Sequence, residues 1–267
     1  MDTPAVMGIV NYTDDSFYEG SRCITDKILL SKVAQMLEEG ADIIDLGAVS
    51  TRPGATEIGE KYEFEKIKSA LKIILDFYPS AAISVDTWRS SVAEMAIFEG
   101  AAMINDISGG TFDENMFSVI GKHNVPYCLM HTSAKPQLMQ QKTSYQNIIA
   151  EMLQFFSKQI EVLKTLGVND IVLDPGFGFG KSLEQNYFLM NNLQAFTMLN
   201  LPLLVGISRK SMIYKLLDTF PVDALNGTTV LNTVALMKGA TILRVHDVKA
   251  AKEAVALTEK LKEQLHQ

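Results

Sequence analysis

The chain has 267 residues, 47% hydrophobic and 21% charged, which suits a large packed core and excludes a disordered chain. A net charge of −7 argues against a nucleic-acid or anionic-membrane surface but leaves room for a local basic pocket. The two cysteines, Cys23 and Cys128, form no disulfide framework, the start Met1-Asp2-Thr3-Pro4-Ala5 is not a signal peptide, and no apolar run is long enough to cross a bilayer, so a reducing cytoplasm is the expected compartment.

In chain order, a strand is expected at Ala5–Val10, with Asn11 at its end, then a polar loop, Tyr12–Thr25. A helix follows at Asp26–Glu39, where Ile28, Leu29, Val33, Met36 and Leu37 recur at helical spacing and Gly40 closes the run. Strand two, Asp42–Leu46, leads into the loop Gly47–Thr56 and a long helix, Glu57–Phe77. Strand three, Ala82–Val85, runs into Asp86, and Ser90–Glu99 is helical. Strand four, Met103–Ile104, ends at Asn105-Asp106 before the flexible turn Ser108-Gly109-Gly110 and the short helix Glu114–Lys122. Strand five, Tyr127–Met130, ends at His131; a long polar loop, Thr132–Ser144, and a helix, Tyr145–Leu166, come next.

Strand six is the apolar run Ile171–Leu173, stopped by Asp174, Pro175 and Gly176. Leu183–Leu199 reads as one helix, Leu203–Ile207 as strand seven, Lys210–Leu217 as a short extra helix and Asp223–Lys238 as a longer one. Strand eight is Ile242–Val245, followed by His246 and a terminal helix, Lys249–Leu265. Short apolar strands in strict alternation with helices call for parallel pairing. Eight such units in one chain of 267 residues predict a single-domain (β/α)8 TIM barrel, with a doubly wound open sheet as the alternative.

In a parallel barrel the chemistry sits at the C-terminal strand ends. Those positions hold Asn11, Asp45, Asp86, Asn105, His131, Asp174, Ser208 with Lys210, and Arg244 with His246. Each also has an ordinary structural reading: Asp45 as a partner of its loop backbone, Asp174 as a turn cap, and the charged set as a salt-bridge network. Two subsets separate by charge. Asp86, Asn105, Asp174 and Lys210 supply the acceptors and donors that a flat polar heterocycle needs, a carboxylate matching two parallel N–H groups. Arg244 and His246 alternate on strand eight, and free N–H groups at Ser208–Ser211 open a helix, a pattern suited to an anion. Asn11 is the next neighbour around the barrel, and Arg52 lies in the second loop. Gly178-Phe179-Gly180 does not complete a dinucleotide fingerprint, and no G-K-[ST] loop, H-E-x-x-H or Cys/His zinc spacing occurs.

Seven segments together resemble dihydropteroate synthases: M-G-I-V-N-Y-T-D-D-S-F (Met7–Phe17), D-L-G-A-V-S-T-R-P-G (Asp45–Gly54), S-V-D-T (Ser84–Thr87), N-D-I-S-G-G (Asn105–Gly110), L-D-P-G-F-G-F-G-K (Leu173–Lys181), G-I-S-R-K-S (Gly206–Ser211) and R-V-H-D (Arg244–Asp247). They span nearly the whole chain in the family's order. The resemblance implies a (β/α)8 barrel, a homodimer, and condensation of 6-hydroxymethyl-7,8-dihydropterin diphosphate with p-aminobenzoate in folate synthesis, with Mg2+ accompanying the diphosphate. It further implies pterin contacts from Asp86, Asn105, Met130, Asp174, Gly206 and Lys210. Diphosphate contacts come from Asn11, Thr51, Arg52, Arg244 and His246, with Asn11 beside the magnesium. The aminobenzoate pocket, which sulfonamides mimic, is implied for Phe17, Ser50, Thr51, Arg52, Pro53, Phe179, Lys210 and Ser211. Asp15, Asp86, Lys210 and Arg244 are the residues implied for catalysis. Other family-like readings are a methyltetrahydrofolate–corrinoid methyltransferase barrel and a non-catalytic pterin-binding protein.

This chain departs from the family pattern in its loops. Asp14 stands where the family has Pro, Glu19-Gly20-Ser21 replaces an acidic-Gly-Gly turn, Gly47-Ala48-Val49 replaces G-G-E, and Met130-His131-Thr132-Ser133-Ala134 replaces M-H-M-Q-G. These changes bear on the aminobenzoate loops rather than on the pterin and anion sets.

Overall fold

The computed structural model describes residues 3–12, 26–48, 58–135 and 143–264. Its strands are β1 (Ala5–Asn11), β2 (Ile43–Gly47), β3 (Ile83–Asp86), β4 (Met103–Asp106), β5 (Tyr127–Met130), β6 (Ile171–Asp174), β7 (Leu204–Val205) and β8 (Ile242–Val245). Its helices are α1 (Asp26–Glu38), α2 (Glu60–Phe77), α3 (Ser90–Phe98), α4 (Met116–His123), α5 (Ile148–Thr165), α6 (Leu183–Asn191), α7 (Ser211–Tyr214), α8 (Leu225–Met237) and α9 (Val248–Gln264).

The strands pair in parallel in the order β6-β5-β4-β3-β2-β1-β8-β7. A bridge between Leu173 and Leu203, with the Leu173 N–H donating to Pro202 O at 2.8 Å, brings β6 against the entry to β7 and nearly closes the sheet. This is the (β/α)8 barrel, not the open sheet.

Period-two alternation explains how apolar strands can build both a core and a site. One set of positions, including Val6, Ile44, Leu46, Val85, Ile104, Leu129, Leu173, Val205 and Leu243, packs outward in the main hydrophobic cluster. Helix stripes such as Leu29, Val33 and Met36 of α1 and Ile67, Leu71 and Ile74 of α2 meet them there. The other set, Ala5, Met7, Met103, Cys128, Val172, Leu204 and Ile242 with Ile43 against them, forms a separate buried cluster that plugs the barrel interior. One step further along the same inward rows stand Asp45, Ser84, Asn105, Met130, Asp174, Gly206 and Arg244. The dry plug is thus the floor of a polar mouth.

Several boundaries differ from the sequence reading. The expected helix Leu183–Leu199 is two elements, α6 and a 3₁₀ segment at Leu193–Leu199. Asn192 is the cause: its side-chain amide donates to Phe188 O at 2.8 Å, competing with the helical ladder. The start of α6 is fixed by a capping box between Ser182 and Gln185. Strand seven shrinks from Leu203–Ile207 to two residues because Leu203 N–H is taken by Thr241 Oγ1 and Ile207 O accepts Lys210 N–H in a turn. The short extra helix is α7, four residues long, rather than Lys210–Leu217. α2 starts at Glu60 after an extended Gly59, not at Glu57, which lies outside the described residues. No described helix is long and apolar enough to cross a membrane.

The turn after β4 is pinned from inside. Buried Asp106 accepts from Ser108 N and Oγ, from Gly110 N, and from the buried Tyr127 hydroxyl at 2.6 Å. Tyr127→Phe is expected to cost about 1.5–3 kcal/mol of unfolding free energy, the worth of a hydrogen bond to a charged group. Urea denaturation monitored by circular dichroism checks it; an unchanged midpoint would mean that the other donors suffice.

Candidate active site

Arg244 sits at the centre of the mouth. Its Nε donates to Asp45 Oδ2 and its Nη2 to Asp86 Oδ2, each at 2.6 Å. Asp45 is fully buried, and the same Oδ2 also accepts the Asn105 amide at 3.1 Å. Three strands, β2, β3 and β8, are therefore joined through one guanidinium, with β4 attached through Asn105. This corrects two expectations. Asp45 is not a partner of its own loop backbone. The heterocycle set and the anion set do not separate by charge either, because the strand-eight arginine is paired with the acidic side.

Burial raises the Asp86 carboxyl above its usual range against the lowering pull of Arg244, and the two carboxylates hold the guanidinium protonated. Asp174, at the end of β6, accepts the Gly176 N–H with Oδ1 at 2.7 Å. Its turn-cap reading is thus correct for one oxygen. Gly176 has φ +68°, and a Cβ there would collide with the His131 carbonyl, so glycine is required. Burial also raises the Asp174 carboxyl, opposed chiefly by Lys210.

Lys210 does not ion-pair directly with Asp174. Its Nζ donates to Phe177 O at 2.6 Å and lies 4.8 Å from the Phe179 ring centroid. Loss of solvation lowers its amine to about 8, although Asp174 and Asp86 pull the other way. Phe179 packs in a small apolar cluster with Trp88, Ile107, Met130, Ile58 and Phe112, which walls one side of the mouth. Trp88, Ile107 and Phe112 escaped sequence reasoning because isolated apolar residues in loops carry no periodicity.

On the other side, Ser208 Oγ accepts the His246 backbone N–H at 3.2 Å and lies 2.9 Å from Nδ1. The Ser208 hydroxyl thus holds the His246 ring by its Nδ1 edge at the strand end. The expected row of free N–H groups at Ser208–Ser211 is partly spent: Arg209 N–H goes to Thr228 Oγ1 and Lys210 N–H to Ile207 O. The Arg209 side chain grips Asp247 with two nitrogens, fixing the loops after β7 and β8 to each other. Ser211 opens α7. Gly206 faces the stem of Arg244, whose Cβ would lie 3.7 Å from an added side chain, an ordinary contact. Asn11 Oδ1 lies over Gly47, 3.6 Å from where a Cβ would stand.

His131 is not a mouth residue in chemical terms. It is buried against Phe155, and burial pushes its imidazole down to about 3. Lys181, unassigned from sequence, explains it. That buried amine donates to Gly176 O and Phe179 O, each at 3.0 Å, and to His131 O at 3.3 Å, with His131 Nδ1 at 3.2 Å. Burial lowers it to about 7. It clamps the loops after β5 and β6, and no local pattern marks that role. Asp15, Phe17, Ser50, Thr51, Arg52 and Pro53 lie outside the described residues, as do Asp14, Glu19, Ser21, Val49 and Cys23.

A parallel barrel with a dense polar mouth over a dry plug defines a barrel enzyme acting on a small polar molecule. The chain belongs to the pterin-binding enzyme family, whose sequence profile matches residues 7–246. It is similar to the dihydropteroate synthase of Synechocystis, 43% identical over 262 residues, which are 96% of this chain and 89% of the relative. The Yersinia pestis dihydropteroate synthase, solved with a sulfonamide drug complex, superposes with TM-score 0.93 at 37% identity, covering 98% of this chain and 95% of the other. The Xanthomonas albilineans dihydropteroate synthase, solved with 4-aminobenzoic acid, superposes with TM-score 0.89 at 32% identity, covering 98% and 94%.

The Arg244 bridge makes a sharp stability prediction. Arg244→Ala leaves two buried carboxylates facing each other, and is expected to cost about 3–5 kcal/mol of unfolding free energy. Urea denaturation reads it, and a loss under about 1 kcal/mol, the level of an exposed ion pair, would count against a buried bridge.

Proposed function

We propose that the chain is a dihydropteroate synthase, joining 6-hydroxymethyl-7,8-dihydropterin diphosphate to p-aminobenzoate with release of diphosphate. The observation that carries this reading is the convergence of Asp86, Asn105 and Asp174 from three strands, and Lys210 from the loop after β7, at one mouth, in a chain whose relatives bear that activity. Asp86 Oδ1, Asn105 Oδ1 and Asp174 Oδ2 make no hydrogen bond among the described residues, so three acceptors remain for the amino-pyrimidinone edge of a pterin. Lys210 supplies donors beside them, and Met130 and Gly206 line the slot. Arg244 and His246, with Thr51 and Arg52 of the second loop, would hold the diphosphate.

The residues fit a magnesium ion. Mg2+ keeps most of its waters and needs only one or two protein oxygens alongside the diphosphate, and Asn11 Oδ1 over Gly47 offers one. When bound, it would offset negative charge on the leaving diphosphate.

As the C–O bond to the pterin methylene breaks, its electron pair leaves with diphosphate and the carbon becomes cation-like. Arg244 and His246 offset the charge growing on the leaving group. Asp86 and Asp174 favour the cation. The arylamine then forms the C–N bond and gives up a proton, with Phe179 and the Lys210 stem as walls for its ring. Phe17, Ser50, Pro53 and Ser211 would complete that pocket, and Asp15 would join the catalytic set from the first loop. One domain, a homodimer and a cytoplasmic location complete the proposal.

Incubating the protein with pterin diphosphate, p-aminobenzoate and Mg2+ should yield dihydropteroate; no product above a heat-killed control sinks the reading. Turnover is expected to fall with EDTA and return with added Mg2+. The pH profile of kcat/KM should be bell-shaped, reporting free-enzyme groups. Its acid limb lies above the usual carboxylate range, where Asp86 gains its proton, and its alkaline limb is near 8, where Lys210 loses its proton. Lys210→Arg should remove the alkaline limb; a limb near 8 that survives this change assigns it elsewhere.

A further inference from the structure

The Asn105 amide faces Asp45 Oδ2 across 3.1 Å, and that oxygen already accepts Arg244 Nε–H at 2.6 Å. A carboxylate beside a guanidinium only accepts, so the atom turned towards it must be the amide nitrogen. The amide oxygen then points away from Asp45, and like Asp86 Oδ1 and Asp174 Oδ2 it makes no hydrogen bond among the described residues. Had the amide turned the other way, Asn105 would offer an N–H₂ donor where a ring N–H needs an acceptor. Asp45 itself has no access to a ligand: it is fully buried, and its Oδ1 has no hydrogen-bond partner among the described residues. An orphan carboxylate oxygen in the interior costs stability, while the position beneath it on the same inward row, Ile43, is apolar. Asp45 therefore reaches the slot only through the two groups its Oδ2 holds, Arg244 and Asn105.

We propose that Asp45 is a positioning residue that locks the Asn105 amide with its oxygen towards the slot, so that Asn105 joins Asp86 and Asp174 as an acceptor for the donor edge of a heterocycle. The inference rests on the pterin reading above. Asp45 acts through Asn105 and Arg244 and touches no substrate atom.

The proposal is tested by a double-mutant cycle, reading 6-hydroxymethylpterin affinity by calorimetry and melting temperature in parallel. Asp45→Leu frees the Asn105 amide to turn and is expected to weaken pterin by about tenfold, one hydrogen bond's worth. Asn105→Ala removes the acceptor itself and is expected to weaken pterin at least as much. In the Asn105→Ala background the Asp45→Leu change should cost little further affinity, because the group it positions is gone. Asp45→Leu should also raise KM for pterin diphosphate more than it changes KM for p-aminobenzoate. A folded double variant whose loss is the sum of the two single losses overturns the proposal, since Asp45 then acts on binding without Asn105. Wild-type protein that does not bind 6-hydroxymethylpterin overturns the function reading and this inference together; wild-type binding with additive losses overturns the inference alone.

Discussion

The mouth of this barrel depends on one cation shared by two buried carboxylates. Arg244 comes from the last strand and Asp45 from the second, 199 residues apart, and Asp86 from the third. Two unit charges at about 4 Å attract by about 4 kcal/mol at an effective dielectric near 20, and each must first lose several kcal/mol of hydration. The bridge is favoured by its geometry, since Nε and Nη2 both donate and Asp45 Oδ2 accepts twice, although Asp45 Oδ1 is left without a partner among the described residues. Remove the guanidinium and two like charges remain in a dry place. The bridge also spans β1, tying β8 to β2 and β3 across the strand between them, so the element that organises the site braces the barrel as well.

The protonation states follow from the floor beneath. Met7, Met103, Cys128, Val172, Leu204 and Ile242 fill the lower barrel without a polar atom to relieve the charges above. Burial above and within that surface removes solvation from Asp86, Asp174, Lys210 and Cys128. Asp86 and Asp174 rise, Lys210 falls, and the Cys128 thiol is pushed up. One cause therefore brings acids and a base towards the same pH range from opposite sides. The packing that closes the bottom of the barrel is in this sense part of the chemistry at the top.

Much of this was legible in the sequence. Ile43, Asp45 and Gly47 alternate with Ile44 and Leu46, so period two says that Asp45 shares an inward row. The same rule places Asp86, Asn105, Asp174 and Arg244 at strand ends. Which of them pair could not be read, because long-range partners leave no mark on a local pattern. Spacing puts Arg244 and His246 on one face, but it does not show the partners that hold each: Asp45 and Asp86 for the guanidinium, Ser208 for the imidazole. Burial of Lys181 was equally hidden, since a lysine after glycines usually faces water. The break at Asn192 turned on a side chain bonding its own backbone, which the apolar stripe of the helix does not record.

The three clamps around the mouth have a common logic. Asp106 holds the turn after β4, Lys181 holds the loops after β5 and β6, and the Arg209–Asp247 pair joins those after β7 and β8. Each uses a charged group to satisfy N–H or C=O groups or an opposite charge that an irregular loop would otherwise leave unpaired. Ordering a residue costs about 1–2 kcal/mol of backbone entropy, and in these loops the cost is met during folding rather than on binding. Asn105, Asp174 and Lys210 therefore stand in place before any ligand arrives. A slot fixed in advance can discriminate by polarity, because an amide or carboxylate that cannot turn cannot adapt to the wrong donor pattern.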